Sequence, residues 1–214
     1  MGNGGVECTY TSEVSVFCSS SCFVIFGNMR GIFLGLGSNC GECSRLMRDA
    51  LVLLEERGVV MVAKSSLYET EPIVGEWQDR AAVMERGNFL NAVVEVETEL
   101  SPMELLSVCL EVEALLGRVR EGVERWSART MDIDVLLHGS QVIREVGDGL
   151  SGFDGSNGLS LVVPHPLIQE RNFVLVPLAE IGGGVLHPVL GVRVAELLRA
   201  SSDGHRVLVS GEKW

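Results

Sequence analysis

The run Arg129-Thr130-Met131-Asp132-Ile133-Asp134-Val135-Leu136-Leu137 constrains the fold of this chain more than any other stretch. It reads as a strand, and successive side chains of a strand point to opposite faces. Asp132 and Asp134 then share one face, while Met131, Ile133 and Val135 share the other. The apolar set suits a covered, pleated surface. The chain therefore needs a sheet with one face packed and two carboxylates side by side on the opposite face. Paired carboxylates call for a cation, which points to a bound metal ion or to arginines. The same spacing also fits a half-exposed edge strand with two solvated acids.

The basic residues nearest in sequence are all arginines. Of 17 basic residues only Lys64 and Lys213 are lysines, and Arg118, Arg120, Arg125 and Arg129 crowd into one stretch. The guanidinium group pairs with phosphate oxygens through a planar fork. Set against a formal net charge of -12, this cluster reads as a local anion site. The overall charge argues against a nucleic-acid partner, since phosphate backbones are bound mainly through Lys and Arg. Trp126 adds a flat apolar surface to the same loop, though a packing anchor would look alike.

Around this strand the periodicity predicts a short strand over Ile32–Leu36, broken by Gly37-Ser38-Asn39. A helix is predicted over 43–57, closed by Gly58, with Leu46, Ala50, Leu53 and Leu54 on one face. Strands follow over 59–68 and 89–97, separated by a long polar loop, 69–87. Ser101-Pro102-Met103-Glu104 carries a capping box with Pro at the first helical position, opening a helix to Leu116 that ends at Gly117. Residues 139–160 read as a long insertion. Pro164-His165-Pro166 has a stiff backbone, and short helices are predicted over 173–181 and 192–200. The order β-α-β-β-α-β is that of an α+β, ferredoxin-like core with C-terminal additions. At 214 residues the chain has room for one domain. The expected division is a flexible, dispensable tail over 1–28, a folded domain over 29–200 and a C-terminal tail over 201–214.

Four more groups are candidates for chemistry. His165 and Arg171 could clamp a phosphate, although a His between prolines is also an ordinary turn residue. Phe89 and Asn91 share a strand face and could stack on and read a flat heterocycle; they could equally be a core Phe and a strand-edge Asn. Cys40-Gly41-Glu42-Cys43, after a strand and opening a helix, has the context of a redox motif, but inert thiols fit too. The 6 cysteines are too few for a disulfide scaffold and read as reduced thiols of a cytoplasmic protein. No run of about eighteen apolar residues predicts a transmembrane helix. The mildly apolar stretch 14–26 lacks preceding basic residues, Arg30 being the first.

Taken in order, Gly37-Ser38-Asn39, Tyr68-Glu69-Thr70-Glu71-Pro72, Phe89-Leu90-Asn91-Ala92, Gly117-Arg118-Val119-Arg120, Arg125-Trp126, Arg129-Thr130-x-Asp132-x-Asp134, Pro164-His165-Pro166, Arg171-Asn172-Phe173 and Pro177-Leu178 resemble the 6-hydroxymethyl-7,8-dihydropterin pyrophosphokinase family. The resemblance spans roughly Ile32 to Leu198. It implies an enzyme of folate biosynthesis that transfers diphosphate from ATP to the pterin hydroxymethyl group and releases AMP. It further implies that Asp132 and Asp134 hold two Mg2+ ions and that Arg118 and Arg129 are catalytic. Glu113, Trp126, His165 and Arg171 would serve ATP. Thr70, Pro72, Phe89, Asn91 and Phe173 would serve the pterin. The loops 69–87 and 117–129 would close over the substrates. The partners implied are ATP and the pterin, with no nucleic acid or membrane. The chain would act as a monomer or as a domain of a fusion with dihydropteroate synthase. Three features depart from the family pattern: Ser127-Ala128 where Gly or Ala and then Pro are usual, the length of the 139–160 insertion, and the N-terminal tail. A ferredoxin-like ligand sensor or RNA-binding module is the non-enzymatic alternative. An RNA binder would want exposed aromatics and a basic face, and a sensor would not need paired aspartates.

Overall fold

The computed structural model describes residues 29–72, 87–118, 130–146 and 160–214. Strand β1 (Met29–Ser38) precedes helix α1 (Cys43–Glu55), then come β2 (Val60–Lys64), β3 (Tyr68–Thr70) and β4 (Phe89–Thr98). Helix α2 (Pro102–Leu115), β5 (Asp132–His138), β6 (Ile143–Val146) and β7 (Ser160–Val163) follow. Helices α3 (Asn172–Gly182) and α4 (Val194–Ala200) and strand β8 (Val207–Val209) complete the order. Six strands form one sheet in the order β5-β1-β4-β3-β8, with β2 also paired to β4. All of its pairings are antiparallel. β6 and β7 form a separate two-stranded sheet.

Alternation along β1 sorts the core into two layers. Ile32, Leu34 and Leu36 face α1 and α2, where Met47, Ala50, Leu54, Leu105, Cys109 and Val112 are buried with them. Phe33 faces the other way, against Val174, Leu175 and Leu178 of α3 and Val194 of α4. On β5, Ile133 and Val135 join the first layer and Leu137 the second. A register shift opposite Phe33 and Leu34 lets β5 place both Leu136 and Leu137 in the second layer, the local re-aiming that a bulge provides. Among the described residues no helix is long and apolar enough to cross a membrane.

The structure differs from the sequence reading in four places. β1 runs on through Gly37 and Ser38, because both pair with β4 rather than turning away. The strand expected over 59–68 is two strands. Between them Ser65 donates its N–H to Val93 O at 2.9 Å, and its hydroxyl, not a carbonyl, accepts the Val93 N–H at 3.0 Å. The ends of the 139–160 insertion are strands, paired from Ile143↔Val163 to Val146↔Ser160. Residues 201–214, expected as a tail, contain β8, which pairs with β3, and Trp214, whose indole donates to Ser65 O at 3.0 Å.

Candidate active site

Register alone assembles the floor of the site. Gly37 lies opposite Asp132 on one side and Asn91 on the other, and Asn91 lies opposite Tyr68. Residues opposite one another share a face, so Asp132, Gly37, Asn91 and Tyr68 form one row across four strands. Asp134, Gly35 and Val93 form the next row, and Thr70 lies opposite Phe89. All are on the face that carries α3. Gly37 has a reason to be glycine: a Cβ there would come to 3.1 Å from Asn91 Oδ1 and 3.9 Å from Asp132 Cβ. Asn91 Nδ2 donates to Thr70 Oγ1 at 2.7 Å, which fixes the amide and turns Oδ1 toward Gly37. Pro72 is buried just beyond β3, and Phe89 is half-buried.

The end of α2 delivers the first arginine. Gly117, at φ 85°, turns the chain so that Gly117 N–H bonds Ala114 O and Arg118 N–H bonds Glu113 O, each at 3.0 Å. This is the Schellman arrangement that glycine favours after a helix. It brings the Arg118 guanidinium back between two carboxylates. Nη1 donates to Glu113 Oε1 at 2.5 Å and to Asp132 Oδ1. Glu113, 1% exposed, also accepts the Ile133 N–H at 2.7 Å. Burial opposes the charge on Arg118, but Asp132 and Glu113 outweigh it and raise its pKa. Glu113, implied by the resemblance to lie near the nucleotide, thus bonds Arg118 and the β5 backbone.

The third side of the site comes from the segment entering α3. His165 donates its N–H to Leu136 O at 2.9 Å. Its Nδ1 accepts the Leu167 N–H at 3.3 Å, so Nε2 carries the proton of the neutral ring. Burial pushes the His165 pKa down to about 4, helped by the positive charge of Arg171 and opposed by Asp132. His165, Arg171 and Asp132 are therefore within electrostatic reach of one another. The Arg171 guanidinium lies 5.6 Å from the centroid of the Phe173 ring, a cation–π distance.

Asp132, Asp134, Asn91, Thr70 and Phe89 thus share one sheet face by register. Arg118, held by Glu113, reaches Asp132 from the end of α2. His165 and Arg171 act on the same point from the segment entering α3, and Phe173 and Pro72 adjoin Arg171 and Thr70 in the chain. Arg129 and Trp126, with Arg120 and Arg125, lie outside the described residues, as does most of the 69–87 loop. Cys40 is exposed, Cys43 half-buried and Cys109 buried, all as free thiols. Sequence reasoning missed the role of Gly37, which it took for a strand break, and the Glu113–Arg118 pairing, which no spacing announces. Among the described residues no group of three His, Cys, Asp or Glu could hold a metal ion. Two adjacent carboxylates suit Mg2+, which typically takes one or two protein carboxylates and completes its shell with water and phosphate oxygens.

The sequence pattern of the 7,8-dihydro-6-hydroxymethylpterin-pyrophosphokinase (HPPK) family matches residues 33–183. The chain is 44% identical over 155 residues to 2-amino-4-hydroxy-6-hydroxymethyldihydropteridine pyrophosphokinase of Methylorubrum extorquens, covering 72% of this chain and 83% of the relative. The Bacillus subtilis enzyme of the same name is 41% identical over 150 residues, 70% of this chain and 76% of that one. In fold, the chain resembles the crystal structure of wild-type Plasmodium falciparum HPPK-DHPS, with a TM-score of 0.60 at 16% identity. That match covers 81% of this chain but only 45% of the larger protein. The chain belongs to the 7,8-dihydro-6-hydroxymethylpterin-pyrophosphokinase family of ATP-dependent diphosphotransferases.

Proposed function

We propose that this protein transfers the terminal diphosphate of ATP to the hydroxymethyl group of 6-hydroxymethyl-7,8-dihydropterin, releasing AMP. A bond forms between the hydroxymethyl oxygen and the β-phosphorus as the bond from that phosphorus to the α-phosphate oxygen breaks, and the hydroxyl proton is lost to water. The observation that carries the reading is the row Asp132–Gly37–Asn91 on a single sheet face. It sets the Asp132 carboxylate, with Asp134 in the next row of the same face, beside an oriented amide with no side chain between them. Asn91, held by Thr70, would read the hydrogen-bonding edge of the pterin, with Phe89, Phe173 and Pro72 enclosing the ring. Asp132 and Asp134 would hold two Mg2+ ions, whose chemistry when bound is to neutralise the triphosphate. His165, neutral and with Nε2 as donor, and Arg171, always charged, would hold ATP phosphates. Glu113 would act on ATP through Arg118. Arg118 and Arg129 would stabilise the charge on the transferring group, and Trp126 would contact the nucleotide. Such chemistry needs positioning and electrostatic stabilisation rather than a protein nucleophile.

The ferredoxin-like assignment of the core belongs to the same proposal. Its support is the order β1-α1-β2-β3-β4-α2-β5, in which β2 and β3 both pair with β4 in the place of the single expected strand, and a sheet in which β1 lies between β5 and β4. The setting proposed is the cytoplasm, consistent with free thiols at Cys40, Cys43 and Cys109. The protein would work as a monomer or as the pyrophosphokinase part of a fusion with dihydropteroate synthase.

The test is AMP release measured with and without the hydroxymethyl pterin and with and without Mg2+. Release should require all three of ATP, pterin and Mg2+. Asp132→Ala and Asp134→Ala should each lower kcat by at least about a hundredfold, a loss that even an outer partner of a metal ligand can cause. AMP release independent of the pterin would overturn the substrate, and near-wild-type rates in both variants would overturn the metal sites. Arg129→Ala should lower kcat more than it raises KM for ATP, the pattern of a contact made in the transition state.

A further inference from the structure

Helix α3 has an unusual start. Its N-cap position is Arg171, which makes no side-chain capping bond. Ser, Thr, Asp and Asn are preferred there because a short side-chain oxygen satisfies a helix N–H that has no intrahelical acceptor. An arginine side chain carries donors and no acceptor, and cannot do this. The missing acceptor comes instead from 31 residues downstream. Asp203 Oδ2 accepts the Asn172 N–H at 2.7 Å, and Asn172 Nδ2 returns a bond to Asp203 O, also at 2.7 Å. The Asp203 side chain is only 6% exposed. Its other oxygen accepts the His205 N–H at 3.0 Å and meets His205 Nδ1 at 2.5 Å. Two residues later the chain enters β8, pairing Val207 with Thr70 and Val209 with Tyr68. The Ser210 N–H then bonds Leu67 O at 2.8 Å.

One short segment therefore grips both the strand that carries Thr70 and the helix start that lies between Arg171 and Phe173. We propose that Asp203 is a positioning residue for catalysis: by capping α3 through Asn172, it sets Arg171 and Phe173 at the right distance from Thr70 and Asn91. The carboxylate suits the task twice over, as an acceptor for the orphan N–H and as a negative charge at the positive end of the helix dipole. The proposal rests on the reading of Arg171 as an ATP contact and Phe173 as a pterin contact.

The experiment compares steady-state KM and kcat for ATP and the pterin, alongside melting temperature, in the wild type and five variants. Asp203→Ala should raise both KM values about tenfold and change kcat by less than about threefold, the pattern of lost uniform binding. Asp203→Asn, which keeps an acceptor for the Asn172 N–H, should stay within about threefold of wild type in KM. Asn172→Pro removes the capped N–H at a position where proline is otherwise favoured, so it should fold and reproduce the KM rise even if Asp203→Ala does not fold. Arg48→Ala breaks a bond to Lys213 O, 2.9 Å long, at the far end of the same segment; it should lower stability and leave KM unchanged. Arg171→Ala separates the two claims. If it raises KM for ATP while Asp203→Ala and Asn172→Pro do not, Asp203 has no positioning role. If Arg171→Ala leaves KM for ATP unchanged, the ATP reading itself fails. Equal KM rises in Asp203→Ala and Arg48→Ala, or no rescue by Asp203→Asn, would also overturn the proposal.

Discussion

Glu113 shows how much one buried acid can organise. Its carboxylate holds the Arg118 guanidinium and the Ile133 N–H, and so locks the end of α2 to the start of β5. Removing one partner of a buried, hydrogen-bonded pair typically costs about 3–5 kcal/mol. Glu113→Ala should accordingly lower the denaturant midpoint sharply, and any folded fraction should have weaker turnover because Arg118 has lost its support. A variant with wild-type midpoint would show that the pairing carries no such weight. At this scale the sequence was readable where period alone decides. Asp132 and Asp134 fall on one face with Ile133 and Val135 on the other, and Phe89 shares a face with Asn91, because alternation is a local rule. It was not readable where a contact joins residues distant in sequence, as with Asp203 and Asn172 or Ser38 Oγ and Thr130 O, 2.6 Å apart.

Among the elements, those with strong end signals were read nearly to the residue. α2 has its capping box, with Ser101 N–H bonding Glu104 Oε2 at 2.8 Å, and stops at Gly117 as expected. The elements that were misread lack such signals. β8 is three residues long and needs the edge of β3 to become a strand. β6 and β7 are four-residue strands, each half of one pairing that sequence order separates. The division between β2 and β3 depends on one serine hydroxyl taking a ladder position. β1 provides the element-level prediction. Gly37→Ala would set a Cβ 3.1 Å from Asn91 Oδ1, displacing the amide by a few tenths of an ångström. The fold should persist, and KM for the pterin should rise more than KM for ATP. Equal effects on the two substrates would argue against the assignment of Asn91 to the pterin.

For the whole molecule, acid response follows from buried imidazoles. His138 and His187 are pushed below the ordinary value of 6.5 mainly by burial, and His165 down to about 4. Their charged form is disfavoured when folded, so below about pH 6.5 the unfolded chain binds more protons than the folded one. Stability should be full above that value and fall as pH drops toward 4. For Asp203, burial pushes the carboxyl up, but the hydrogen bonds from Asn172 and His205 and the His205 charge together outweigh it and hold the carboxyl below its ordinary value of 3.8, so it adds its own loss only below that value. Urea midpoints at pH 7.5, 6 and 5 should therefore decline steadily; a flat series would contradict the burial of these rings. An antiparallel sheet with helices packed on it was legible from the order of elements; that helices cover both of its faces was not. Nor was which helix covers which face, because that depends on how the β1 face pattern meets α3 and α4.

The placement of Asp132 and Asp134 on β5 has a consequence for folding as well as for chemistry. Sliding β5 by one residue against β1 would exchange its two faces. Both carboxylates would then enter the packed layer beneath α1 and α2, while Ile133 and Val135 would emerge beside Asn91. Burying unpaired carboxylates costs several kcal/mol each, whereas a strand with valines at both positions would tolerate either alignment. The two acids thus act as alignment marks: a sheet assembled out of step is penalised before it can pass as folded. Chains that reach a stable sheet are then, by the same interaction, chains whose two carboxylates stand where the reaction needs them.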